Sequence, residues 1–316
     1  MILLLIMSVL LLTYVNGAND NFKGVATLWS SKVLSYNQAI VLTSIATFLG
    51  SVTALFFVTA LLKNFSGKGL VPDEIISGLP FILSVAVGAA FTVLLATKIG
   101  FPVSTTHALV GGLVGAGIMS VGTAIHFQTL GKTFLLPLIL SPIVATVLSI
   151  PLYRLIKKID VKNLKIENNI HIFSAATVCF SRGLNDTPKI VSLLLISQYF
   201  EMKYNFLIVG LVMAIGGILN AKKVANTMAH KLAVLSPQQG LAANAVTGLL
   251  VISASAFGFP VSTTHVAVGA IFGVGTVEKN ANIKELFKIL LSWFLTLPIA
   301  IIIALISYYF IISINK

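Results

Sequence analysis

The chain has 316 residues, of which 57% are hydrophobic and only 9% charged, with a formal net charge of +12. A soluble domain clothes its surface with roughly a quarter charged residues, so this composition excludes an ordinary water-soluble fold and points to an outer surface that faces lipid. The positive charge sits mostly in short segments between apolar runs, residues 154–165 and 222–231, which read as cytoplasmic loops beside anionic headgroups and not as a nucleic-acid surface.

A helix needs about 20 apolar residues to cross a bilayer. In chain order the stretches that reach this length are 1–31 (interrupted), 36–62, 79–98, 101–121, 133–154, 170–200 (interrupted), 204–220, 239–257, 259–277 and 286–313. They predict an all-α integral membrane protein with about 10 transmembrane segments. The first stretch lacks the basic n-region of a signal peptide and runs directly into a polar motif, so it reads as a retained segment. Cys179 is the single cysteine, and its apolar neighbours mark it as a small core residue and not a nucleophile.

Two motifs recur. Gly17-Ala18-Asn19-Asp20-Asn21-Phe22-Lys23 returns as Gly183-Leu184-Asn185-Asp186-Thr187-Pro188-Lys189. Gly100-Phe101-Pro102-Val103-Ser104-Thr105-Thr106-His107 returns unbroken as Gly258-Phe259-Pro260-Val261-Ser262-Thr263-Thr264-His265. The order and spacing match, so the chain divides into a first transmembrane repeat (1–156), a basic cytoplasmic linker (157–169) and a second repeat (170–316). An odd number of crossings in the first repeat inverts the second. That count places both basic segments in the cytoplasm and both termini outside. Inverted-topology repeats with broken helices or re-entrant half-helices at the midplane are a device of secondary transporters.

Asp20 and Asp186 lie at bilayer depth, where a carboxylate costs at least about 2.5–3.5 kcal/mol. One repayment is pairing with Lys23 or Lys189, three residues on and on the same helical face. The other is a cation site or proton relay, with the amides of Asn19 and Asn185 as further ligands. An ammonium at Lys23 or Lys189 also modulates the charge of such a site, and can stand where a monovalent cation would bind. The Pro-Val-Ser-Thr-Thr-His segments carry the grammar of a helix start. Unpaired first amides, the helix dipole and three adjacent hydroxyls make an oxyanion cradle, with capping alone as the plainer reading. His107 and His265 read as helix-packing hydrogen bonders. The spacing of Ser104 to His107 and of Ser262 to His265 would also suit a membrane hydrolase, but a duplicated site without a placed acid argues against an enzyme. A passive anion channel is disfavoured by the buried acids, and Arg182 reads equally as a surface or an anion-gathering residue.

At these motifs the sequence resembles the inorganic phosphate transporter family, sodium- or proton-coupled phosphate permeases, over nearly the whole chain. The resemblance implies import of inorganic phosphate by alternating access, coupled to H+ or Na+, with sulfate or another tetrahedral oxyanion as the alternative cargo. It implies phosphate contacts at Ser104, Thr105, Thr106, Ser262, Thr263 and Thr264, and cation contacts at Asn19, Asp20, Asn185 and Asp186. It further implies a homodimer in the cell membrane, with no cofactor beyond a possible Na+ at Asp20 and Asp186. Lys23 and Lys189 stand where many relatives carry Asn, so a fixed ammonium is available in place of an ion.

Overall fold

The computed structural model describes residues 1–57, 59–159, 163–195, 201–232 and 235–314. It is helical nearly throughout. In chain order, α1 (Ile2–Asp20) passes through a 3-10 turn into α2 (Ala26–Ser30), followed by α3 (Tyr36–Phe57), α4 (Thr59–Phe65) and the single turn α5 (Asp73–Ile76). Then come α6 (Leu79–Ile99), α7 (Thr105–Val121), the short α8 (Phe127–Thr129) and α9 (Leu136–Ile156), the last two joined by a π-helical stretch. The remainder is α10 (Leu164–Val191), α11 (Met202–Asn220), α12 (Lys222–Asn226), α13 (Pro237–Ala256), α14 (Thr263–Val277) and α15 (Ile283–Ile314).

Eight helical segments among the described residues are long and apolar enough to cross a membrane: those built on α1, α3, α6, α7, α9, α11, α13 and α15. α10 and α14 occupy the other two of the ten stretches expected. α10 is long enough, but its strongly polar face carries Arg182, Asp186 and Lys189. α14 is apolar but has only 15 residues.

Two boundaries differ from expectation. The stretch 170–200 does not break at its motif: Gly183 to Lys189 lie within continuous α10, and Pro188 sits inside the helix. In the first half the regular helix does end at Asp20 and tightens into a 3-10 turn. α10 also begins inside the segment 157–169 expected as linker, because the Asn163 side chain accepts from the amides of Lys165 and Ile166 and starts the helix there. Residues 160–162 of that linker lie outside the described residues.

The helices pack in matching pairs. α1 lies against α6 and α11, and α10 against α13 and α3. α7 is clasped by α15, and α14 by α9. The long crossings are tight because glycine brings backbones together: a Cβ on Gly17 would collide with the Met213 carbonyl, and one on Gly183 with the Thr47 carbonyl. α6 and α7 form an antiparallel hairpin, with Gly112 packed on Val85. α13 and α14 form another, with Gln239 bonded to the Val274 carbonyl.

The two ends of the bundle differ in charge. One end gathers Leu232, Gln239, Asn280 and Asn282 with the Tyr153–Lys157–Glu278 contact, and the basic segments around 154–159 and 222–231 converge there. The opposite end holds Leu70, Val71, Ile125 and His126, near the acidic pair Asp73 and Glu74.

Candidate functional site

The site is assembled from the two hairpin tips and the polar ends of α1 and α10. Both tips are built alike. Gly100 ends α6 at φ 81° and the Phe101 amide reaches back to the Ala96 carbonyl at 3.0 Å. Gly258 follows α13 at φ 73°, and the Phe259 amide reaches the Ala254 carbonyl at 2.8 Å. Only glycine adopts this left-handed closure without strain. Pro102 and Pro260 then hold the chain extended, and Ser104 and Ser262 cap the next helices by accepting from the amides of His107 (3.2 Å) and His265 (3.3 Å).

The tips meet. The Thr264 hydroxyl donates to the Val103 carbonyl at 3.0 Å, and the Thr106 hydroxyl to the Val261 carbonyl at 3.4 Å. The rings of His107 and His265 lie edge to face with centroids 4.5 Å apart, and His265 stacks on Trp293 at 3.7 Å. The starts of α7 and α14 therefore face one another across a shared polar centre.

Every residue expected at the site is buried: Ser104, Thr105, Thr106, Ser262, Thr263, Thr264, Asn19, Asp20, Asn185, Asp186, Lys23 and Lys189. Lys23 pairs with Asp20, and Lys189 with Asp186 at 3.3 Å, so the acid–lysine pairing read from the spacing is present in both halves. Each lysine also crosses to the other half. Lys23 Nζ donates to Thr264 Oγ1 at 2.7 Å, and Lys189 Nζ to Thr106 Oγ1 at 2.8 Å. Asp20 accepts from Thr105 through its second oxygen at 3.1 Å. Asn19 donates to Thr97 at 2.9 Å and Asn185 to Ser255 at 2.7 Å, which fixes both amide oxygens toward the lysines.

Arg182 corrects one expectation. It is not a surface residue but is 2% exposed and central. It donates to Asn16 at 2.5 Å, to Asn21 and to Thr47 at 3.3 Å, and its Nε lies 3.6 Å from Asp186. Asn16 in turn donates to Asp20 (3.1 Å), Thr105 (2.9 Å) and Asp186 (3.5 Å), tying the halves together. Asn16 and Asn21 were not singled out from the sequence. A signal was available: Asn16 and Arg182 each stand one residue before the motif glycine, so they are repeat equivalents that differ. Three basic side chains thus face two carboxylates in a buried centre, a formal surplus of one positive charge. The histidines do not activate the serines: Ser104 and Ser262 bond backbone amides, while His107 Nδ1 and His265 Nε2 have no hydrogen-bond partner among the described residues. His265 Nδ1 instead meets the Leu138 carbonyl at 3.1 Å, as a packing histidine does.

Comparison with known proteins gives a consistent result. The family model described as "Phosphate transporter family" matches residues 16–170 and 160–304. A "Probable low-affinity inorganic phosphate transporter" of Bacillus subtilis (strain 168) is 28% identical, with 97% of this chain and 96% of that protein aligned. A protein of the same name from Rhizobium meliloti (strain 1021) is 29% identical over 96% and 95%. A solved structure described as "The sodium-dependent phosphate transporter" shares the fold at a TM-score of 0.88 and 22% identity, over 99% of each chain.

Proposed function

The chain belongs to the phosphate transporter family, and we propose that it imports inorganic phosphate by alternating access, driven by a coupled H+ or Na+ gradient. It is a multi-pass membrane protein and a transporter, not an enzyme. The observation that carries the reading is the meeting of two helix starts, each bearing a Ser-Thr-Thr row, over a buried cluster with one surplus positive charge. In this reading the amides and hydroxyls of Ser104, Thr105, Thr106, Ser262, Thr263 and Thr264 receive the phosphate oxygens. Arg182 supplies charge without leaving its amide partners. Asn19, Asp20, Asn185 and Asp186 form the cation positions, and the Asp–Lys and Thr–Lys bonds are exchanged as the anion enters.

Alternating access follows from two similar halves in opposite orientation, 1–156 and 170–316, rocking about the tip contact. The matched packing pairs and the matched tips support that arrangement. The gathering of basic segments at one end supports a cytoplasmic face there, in the cell membrane, with both termini on the opposite side. A homodimer belongs to the same reading.

The test is uptake of radiolabelled phosphate by proteoliposomes under an inward sodium gradient, an inward proton gradient, or neither. Accumulation above equilibrium under one gradient is expected. Equilibration alone would indicate a channel, and loss of uptake to excess sulfate would reassign the cargo.

A further inference from the structure

Lys23 Nζ lies at the centre of four oxygens. Asn19 Oδ1 is at 2.9 Å, the Val103 carbonyl at 2.7 Å, Thr264 Oγ1 at 2.7 Å, and Asp20 Oδ1 closes the set. Lys189 Nζ has the same four kinds of neighbour: Asn185 Oδ1, the Val261 carbonyl at 2.9 Å, Thr106 Oγ1 at 2.8 Å and Asp186 Oδ1 at 3.3 Å. Each set is one carboxylate, one amide, one peptide carbonyl and one hydroxyl. The hydroxyls are turned to accept, because Thr264 and Thr106 hand their hydrogens to the same carbonyls that the lysines use. Such all-oxygen sets, with each oxygen accepting toward one centre, are the ligand sets of a hard cation.

We propose that the Lys23 and Lys189 ammonium groups are tethered cations filling the two cation sites of this transporter, so that phosphate uptake needs no Na+. The proposal rests on the transport reading above. A sodium ion does not fit these sites as they stand, because it would have to expel an ammonium from all four oxygens. Lys23 is 3% exposed and Lys189 1% exposed, so neither displaced charge would reach water without rearrangement. A tethered cation neutralises its aspartate and braces the opposite tip through threonine, as a bound ion would, but it cannot be carried across. The recurrence of the same four-oxygen set in both halves distinguishes this arrangement from an incidental ion pair.

The experiment uses the full-length chain, wild type and with Lys23→Ala or Lys189→Ala. Phosphate uptake in proteoliposomes is measured under an inward proton gradient with external NaCl or choline chloride, and melting curves of the purified protein are recorded in the same salts. Wild-type uptake should change by less than about twofold on sodium replacement, and its melting temperature should be the same in both salts. Each alanine variant opens an oxygen set that sodium can enter. Sodium should raise its melting temperature by mass action and raise its uptake by about tenfold or more over choline.

Wild-type uptake that falls about tenfold without sodium, or a wild-type melting temperature that rises saturably with it, overturns the proposal. So does a membrane-inserted alanine variant indifferent to sodium in both readouts. If neither variant inserts, the wild-type comparison decides alone. If the wild type moves no phosphate under any gradient, the transport reading fails, and the melting curves still decide whether the lysines hold the sites.

Discussion

Asp20 is held by Lys23, Thr105 and Asn16 and is buried. Replacing it with asparagine removes the charge but keeps the shape. Asp20→Asn should therefore insert in the membrane at near-normal abundance and lose gradient-driven phosphate uptake, which western blotting beside proteoliposome uptake measures. Normal uptake would remove Asp20 from the mechanism. Arg182 is a different case, because it serves Asn16, Asn21, Thr47 and Asp186 at once. Truncating one member of a buried charged network leaves the others unpaired and costs about 3–5 kcal/mol. Arg182→Leu should thus lower the melting temperature markedly as well as abolish uptake. Arg182→Lys should recover part of the stability but not the fork that reaches both asparagines. At the basic end, Glu278 accepts from Lys157 at 2.7 Å and from Tyr153 at 2.9 Å. The Lys157 hydrogen bond, with the Tyr153 bond second, holds its carboxyl below the ordinary 4.5. A depressed carboxylate stabilises the folded protein above its ordinary value, and loses that contribution as pH falls through the folded one. Glu278→Gln should therefore lower the melting temperature slightly at pH 7, with the difference from wild type vanishing in acid.

The elements are held by backbone proximity more than by side-chain bulk. α1 crosses α11 with Gly17 on the Met213 carbonyl and Gly216 on the Tyr14 carbonyl. α10 crosses α3 in the same way, with Gly183 on the Thr47 carbonyl and Gly50 on Phe180. In lipid there is little hydrophobic drive between helices, so close van der Waals packing and interhelical hydrogen bonds carry association. A methyl at Gly183 has only backbone to meet, and overpacking of this kind costs about 1–3 kcal/mol. Gly183→Ala should lower the melting temperature of the detergent-solubilised protein and shift α10, with Arg182 on it. Gly131→Ala, where nothing lies within 4 Å of an added Cβ, is the control that should melt as wild type. The same comparison separates the motif glycines by purpose. Gly100 and Gly258 are needed for their positive φ, whereas Gly17 and Gly183 are needed for the absence of a side chain.

For the whole molecule, sidedness can be tested directly, because Cys179 leaves a clean background. This cysteine is fully buried, so the wild type should resist an impermeant maleimide. A cysteine placed at Lys158 should label only from the cytoplasm in intact cells, and one at Asp73 only from outside. The reverse pattern would invert the proposed topology. Most of the architecture is legible in the sequence because lipid imposes a strong, local rule. A spanning segment must be helical, long and apolar, and α3, α6, α9, α11, α13 and α15 lie where that rule puts them, within a few residues. The duplicated motifs could be read for the same reason, since a carboxylate or a proline-hydroxyl run has no other business in an apolar stretch. Three features were decided only by the tertiary structure. α10 runs unbroken through its motif, because its polar face finds partners on α1, α3 and both tips, and so it needs no interruption. Arg182 is central and not peripheral, because Asn16 and Asn21, distant in sequence, converge on it. Lys23 and Lys189 each bond a threonine in the opposite half, a contact between residues 241 and 83 positions apart. Local composition can show that a charge is buried and must be paired; which group pairs it, across which interface, depends on how the two hairpin tips meet.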